Sequence, residues 1–130
     1  MLWLTKVRSG SMAPTLTDGQ LVLTRGLGTT SLVRRGDVVV VASTEVGRPI
    51  TKRVIGLPGE SVSIDEGRVR IDGRPLDEPY ATRSVFTGAY DVPAGHFFVL
   101  GDNRDASSDS RSWRQPYVSR SSLRGRLLLR

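Results

Sequence analysis

The 130-residue chain has no cysteine and a single histidine, His96. The first absence excludes disulfide staples, thiolate zinc sites and a cysteine nucleophile. The second excludes a multi-histidine metal centre and makes any Ser-His-Asp triad depend on one residue. Lysine is nearly absent too: of 19 basic residues, 17 are arginine and only Lys6 and Lys52 are lysine. No run of about 20 apolar residues occurs that would span a bilayer. Leu2-Trp3-Leu4 is apolar but is closed by Lys6 and Arg8, too short for a signal-peptide core. That stretch reads as the stump of a longer anchor, an interfacial tether or a first strand.

What is present suits one globular domain, with 38% hydrophobic residues and 14 glycines. The net charge of +6 favours an anionic partner, either nucleic acid or a lipid headgroup surface. Arginine serves for surface charge and ion pairs but cannot readily lose its proton, whereas a buried lysine can. A lysine inside an apolar strand therefore stands out, with codon bias and chance as the bland explanation.

The hydrophobic pattern is β throughout. Gln20–Thr24, Asp37–Ala42, Ile50–Gly56, Phe97–Leu100 and Arg126–Leu129 read as strands, and Val38-Val39-Val40-Val41 as one buried on both faces. Ser61–Asp65 and Arg68–Ile71 alternate cleanly about Glu66-Gly67, a tight hairpin turn, with Asp72-Gly73 as a second turn. Val118–Leu123 reads as one short helical turn, and residues 77–95 as a polar, flexible excursion. The expectation is one compact β domain without a long helix.

Three segments carry candidate chemistry. In Ser9-Gly10-Ser11-Met12-Ala13-Pro14-Thr15-Leu16, Pro14 excludes helical geometry at Ala13, so both serines lie on a bent segment. A serine so held can attack with its own N–H aimed at the developing oxyanion; the plain alternative is an ordinary loop. In the second segment, alternation places Ile50, Lys52 and Val54 on one face and Thr51, Arg53 and Ile55 on the other. If the first face is core, desolvation lowers the Lys52 pKa and leaves a neutral amine able to take a proton from a serine. On an edge strand Lys52 would simply sit in water. The third segment, Gly101–Arg111, is dense in hydrogen-bonding groups. Ser107 is placed to orient the lysine, and Asp109 to pair with Arg111 or Arg53. Two arginines, Arg104 and Arg111, and the lack of a bidentate glutamate argue against a calcium loop here. His96, opening a strand in Gly95-His96-Phe97, reads as a structural hydrogen-bonding residue.

Taken in order, the Ser9–Leu16 segment, Arg35-Gly36-Asp37-Val38-Val39, Lys52-Arg53-Val54-Ile55-Gly56-Leu57-Pro58-Gly59 and Gly101–Arg111 resemble the type I signal peptidase family of Ser-Lys peptidases. The likeness runs from residue 9 to 111. It implies an all-β, compact, antiparallel or mixed barrel-like peptidase domain over 1–130. Residues 1–8 would be a lead-in and 61–95 a reduced second domain of hairpin and loop. It further implies an endopeptidase that removes signal peptides from exported preproteins after small residues at −1 and −3. In that reading Ser11 is the nucleophile and Lys52 the general base. Ser9 and the Ser11 N–H form the oxyanion hole, and Ser107, Asp109, Arg111 and Arg53 support the site. Asp102 and Asn103 would be structural. The substrate would lie extended against Lys6, Val7, Arg8 and Met12 on one side and Pro49, Ile50 and Thr51 on the other. No metal or organic cofactor is called for, and no nucleic acid is expected. The partners would be the signal peptide and a membrane surface or membrane anchor, at the extracytoplasmic face.

The chain departs from the family pattern at Glu60 and Ala106, in the short interval between Lys52 and Gly101, and in having no transmembrane segment ahead of Ser9. Two other classes compete. A self-cleaving Ser-Lys regulatory domain of the SOS-repressor type would cut ahead of its serine, where only eight residues precede Ser9. A non-catalytic basic module for membrane or nucleic acid would need its arginines striped and interleaved with aromatics, and here they are scattered.

Overall fold

Short β-branched runs separated by glycine turns leave little room for helix, and a computed structural model, describing residues 1–129, contains eleven strands and two 3₁₀ turns. The strands are β1 Leu2–Lys6, β2 Leu21–Gly26, β3 Val38–Ser43, β4 Arg48–Gly56, β5 Ser61–Asp65 and β6 Arg68–Ile71, then β7 Arg74–Pro75, β8 Gly88–Asp91, β9 His96–Leu100, β10 Tyr117–Ser119 and β11 Leu123–Leu127. They form a seven-stranded sheet, β1-β2-β11-β3-β4-β9-β10, and a four-stranded sheet, β7-β6-β5-β8. Among the described residues every strand pairing is antiparallel, so the mixed alternative does not apply.

The strand Val38–Ser43 is buried on both faces as its valine run predicts. Val38 and Val40 join Val7, Met12, Leu16, Val22 and Leu127, while Val39 and Val41 join Val54, Phe97, Val99, Trp113 and Leu123. A third cluster, centred on Phe98 and Ile55, cements the two sheets together. Gly56 sits at that seam: an added Cβ would meet Val62 at 2.7 Å, so only glycine lets the sheets approach there.

The structure decides one open sequence reading, the first strand at the N-terminus, and revises two others. Leu2–Lys6 is a strand, pairing Leu2 with Arg25 through Lys6 with Leu21. Residues 77–95 are tied down, because they contain β8, bury Val92 and donate Glu78 to a buried ion pair with Arg104. Val118–Leu123 divides into the end of β10, a 3₁₀ turn at Arg120–Ser122 and the start of β11, since Val118 pairs with Phe97 and Leu123 with Val41. The last strand accordingly begins at Leu123 and ends at Leu127.

β1 is the edge of its sheet. β4 is paired with β9 only over Arg53–Gly56, so Arg48–Lys52 have β3 on one side and, among the described residues, no strand on the other. Counting along the sheet, β1 and β4 run parallel to each other. Both border one groove, so the sheet curls until two unpaired edges face across a gap.

Candidate active site

Lys52 takes its environment from strand alternation. It lies across from Val39, on the face shared by Ile50 and Val54, and is only 4% exposed. Its Nζ donates to Ser107 Oγ at 3.1 Å. Burial lowers its pKa from 10.5 to about 8; Asp109 opposes that shift, while Arg111 and Arg48 reinforce it. The amine is thus held near the point of losing its charge.

The bend ahead of Pro14 places the serines. Ser9 is left-handed, with φ 78, an uncommon state for a residue with a Cβ. Its N–H donates to Asp18 Oδ1 at 2.7 Å, a contact that the sequence reading missed because only the loop's closure brings Asp18 back. Ser9 Oγ then stands 3.5 Å from Ser11 Oγ and 3.4 Å from Ser11 N. The Ser9 hydroxyl and the Ser11 N–H therefore share one small space. Ser11 is 8% exposed, and its carbonyl accepts the Asn103 N–H at 2.9 Å. Asn103 Nδ2 donates to Gly10 O, a second clamp on the bend.

The Gly101–Arg111 loop carries Ser107 to Lys52. Gly101 permits this: a Cβ there would come within 2.1 Å of Ser107 Oγ and 2.7 Å of the Ser11 carbonyl. Asp109, fully buried, accepts Gly101 N–H and two bonds from the Arg111 guanidinium at 2.8 and 3.0 Å. Arg53 goes elsewhere, so of the two pairings open to Asp109 the fold chooses Arg111. Arg53 instead makes a forked pair with Asp102 at 2.8 and 2.7 Å, donates to Gly36 O and lies 3.9 Å from the centroid of Tyr80. Asp102 also accepts from Thr15, which joins the serine bend to the lysine strand. Arg104, paired with Glu78, donates to Gly101 O and ties the loop to the segment before β8.

Ser11 and Lys52 line the same groove, a cavity of about 400 Å³ between the β1 and β4 edges. Lys6 and Arg8 line one wall and Pro49, Ile50 and Thr51 the other, and Ser9 and Ala106 also line it. Val7 and Met12 are not among the lining residues; their side chains are buried in the core beneath the bend, at 2% and 1% exposure. Lys52 and Ser11 share no direct hydrogen bond, since the amine's partner is Ser107. His96 stands apart from the groove, with Nδ1 against the Ala94 carbonyl at 2.9 Å. Among the described residues no cluster of His, Cys, Asp or Glu could hold a metal ion.

This all-β architecture has counterparts among known proteins. The family model for signal peptidase, peptidase S26, matches residues 2–130. Signal peptidase I of Leptolyngbya laminosa is 40% identical, over 95% of this chain and 66% of that protein. Signal peptidase I U of Bacillus subtilis is 36% identical, over 82% of this chain and 63% of that protein. The crystal structure of a signal peptidase I from Enterococcus faecalis V583 matches with a TM-score of 0.65 and 32% identity, over 75% of this chain and 98% of that one. The chain belongs to the signal peptidase family, peptidase S26. It spans just under two thirds of the length of these two curated relatives.

Proposed function

We propose that the chain is a serine endopeptidase that removes N-terminal signal peptides from exported preproteins, with Ser11 as nucleophile and Lys52 as general base. The observation that carries this reading is the dry Lys52 amine, tethered to Ser107 and opening on the groove that holds Ser11. A neutral amine has two N–H bonds and one lone pair. Giving one N–H to Ser107 fixes its rotation and leaves the lone pair for the Ser11 hydroxyl.

The chemistry follows from these positions. With substrate in place Lys52 takes the Ser11 proton as Oγ bonds to the scissile carbonyl carbon. The carbonyl oxygen, now negative, receives the Ser9 hydroxyl and the Ser11 N–H. Lys52 then gives its proton to the departing amine as the C–N bond breaks, leaving an acyl ester on Ser11. Water, deprotonated by the same amine, hydrolyses that ester. Asp109, Arg111, Arg53 and Asp102 hold the two loops in register rather than touching the reacting atoms.

The groove suits an extended substrate because its walls are strand edges. Pairing of Val7 N–H with Gln20 O and of Gly26 N–H with Met1 O sets the odd residues of β1 toward β2. The backbone groups of Lys6 and Arg8 thus face outward, opposite the open edge of Pro49–Thr51. Val40, Val46 and Ile50 supply apolar surface for small residues at −1 and −3. The same reading treats 1–130 as one peptidase domain, with 61–95 as its reduced second part. It works at the extracytoplasmic membrane face, where Leu2, Leu4, Leu21 and Leu23 offer exposed apolar surface. Among the described residues no helix is long and apolar enough to cross a membrane.

The test is cleavage of a signal-peptide-bearing precursor by the purified chain. Ser11→Ala and Lys52→Ala each lower turnover by about a thousandfold or more while leaving the fold intact. In the unaltered chain the rate rises with pH through about 8, as Lys52 becomes neutral, and levels above it. Substantial turnover surviving Lys52→Ala would end the dyad assignment.

A further inference from the structure

Carboxylates near the site are already committed. Asp102 belongs to Arg53, Asp109 to Arg111, Glu78 to Arg104 and Glu60 to Arg35. The groove is different. Lys6, Arg8 and Arg48 all line it, none of the three side chains makes an ion pair or hydrogen bond among the described residues, and no carboxylate lines it. Exposed cations scattered over a surface are ordinary, but these three converge on one concave space whose walls are unpaired strand edges. Arg48 also shares its strand face with Ile50 and Lys52, four residues from the latter, or roughly 13 Å along an extended chain.

We propose that this groove selects extended peptides bearing a carboxylate side chain, aspartate or glutamate, about three or four residues from the scissile bond on the groove side, where Arg48 meets it. The occupant is a peptide because strand edges ask for a partner with its own N–H and C=O groups, which a lipid or nucleic acid does not supply in that register. The charge preference follows from three like charges around one concave space, where an anion is attracted and a fourth cation repelled. Lys52 registers the same field, since Arg48 contributes to the lowering of its pKa. A peptide carboxylate beside Arg48 would cancel part of that contribution.

The inference rests on the peptidase reading for the position of the cut, but not for binding, so binding is measured first. Ten-residue alanine-rich peptides carrying a fluorophore and one glutamate, glutamine or lysine, scanned through the sequence, are titrated against the full chain bearing Ser11→Ala. At one position glutamate binds about tenfold tighter than lysine at low salt, with glutamine between them, and the difference shrinks in 0.5 M salt. Arg48→Gln brings the ratio toward unity, and Arg48→Glu reverses it. Equal affinity for all three peptides at every position, or no binding of any, overturns the proposal. Cleavage by the unaltered chain then separates the two claims. Glutamate-selective binding without cleavage refutes the peptidase reading and sustains this one. Cleavage indifferent to the charge does the opposite.

Discussion

The four-stranded sheet is made largely from neighbours in sequence, whereas the seven-stranded sheet takes strands from both ends of the chain. In the smaller sheet β5, β6 and β7 follow one another through two-residue turns. Glu66 and Gly67 have φ 47 and 81, and Asp72 and Gly73 have φ 49 and 82, the paired positive angles that match hairpin twist. In the larger sheet the C-terminal β11 inserts between β2 and β3, and β9 reaches only the second half of β4. Locally dictated pairing leaves the hairpin strands well matched. Pairing dictated at long range leaves β1 and the start of β4 with open edges, and the serines and the lysine sit between them. The proposed site belongs to the sheet whose pairing is incomplete.

That contrast can be broken from either side. The largest effect on stability is expected in the larger sheet. Arg53→Ala strands the fully buried Asp102 without its partner and costs about 3–5 kcal/mol, read from chemical denaturation. It also loosens the serine bend through Thr15, so activity falls along with stability. Gly67→Ala strikes the smaller sheet. Its φ of +81 and a Cβ placed 2.1 Å from the Ser84 carbonyl predict a loss of about 1–3 kcal/mol, with turnover at saturating substrate unchanged. A matching loss of turnover would show that the two sheets are not separable in this way.

The smallest effect has the opposite sign. Lys52→Met keeps most of the buried volume and removes the charge, and is expected to stabilise the fold by about 1–2 kcal/mol at pH 7 while abolishing cleavage. The sign follows from proton counting. Below about pH 8 both folded and unfolded chains hold the Lys52 proton, and the folded one bears the full cost of desolvation. Between about 8 and 10.5 the unfolded chain holds the proton that the folded chain has shed, so stability of the unaltered protein rises with pH there. The advantage of Lys52→Met should therefore shrink across that window. A constant difference from pH 7 to 10.5 would mean that the folded lysine keeps its ordinary pKa.

Much of the site was legible because strand alternation is a local property. It put Lys52 on one face with Ile50 and Val54, and the structure makes that face a buried one, with Lys52 across from Val39. The loop rich in Asp, Ser and Arg was legible by its density of polar groups, though not its wiring. Two pairings for Asp109 were open from sequence, and only closure of the sheet, which brings Asp102 under Arg53, decided between them. Val7 and Met12 flank the serine bend in sequence, yet their side chains turn into the core, because a residue beside a bend can face either way until the layer beneath it exists. Asp18, which holds Ser9 in its left-handed state, gave no sequence signal at all.

By itself the sequence determined the all-β class, the hairpin turns, the two-sided burial of the valine strand and the face on which the lysine lies. Each of these depends on backbone angles and side-chain alternation over a few residues. Tertiary structure alone decided that β1 curls round to face β4, which carboxylate each buried arginine takes, and that three cations, unpaired among the described residues, share one groove. Those depend on segments far apart in the chain meeting at a particular distance, which no local pattern encodes.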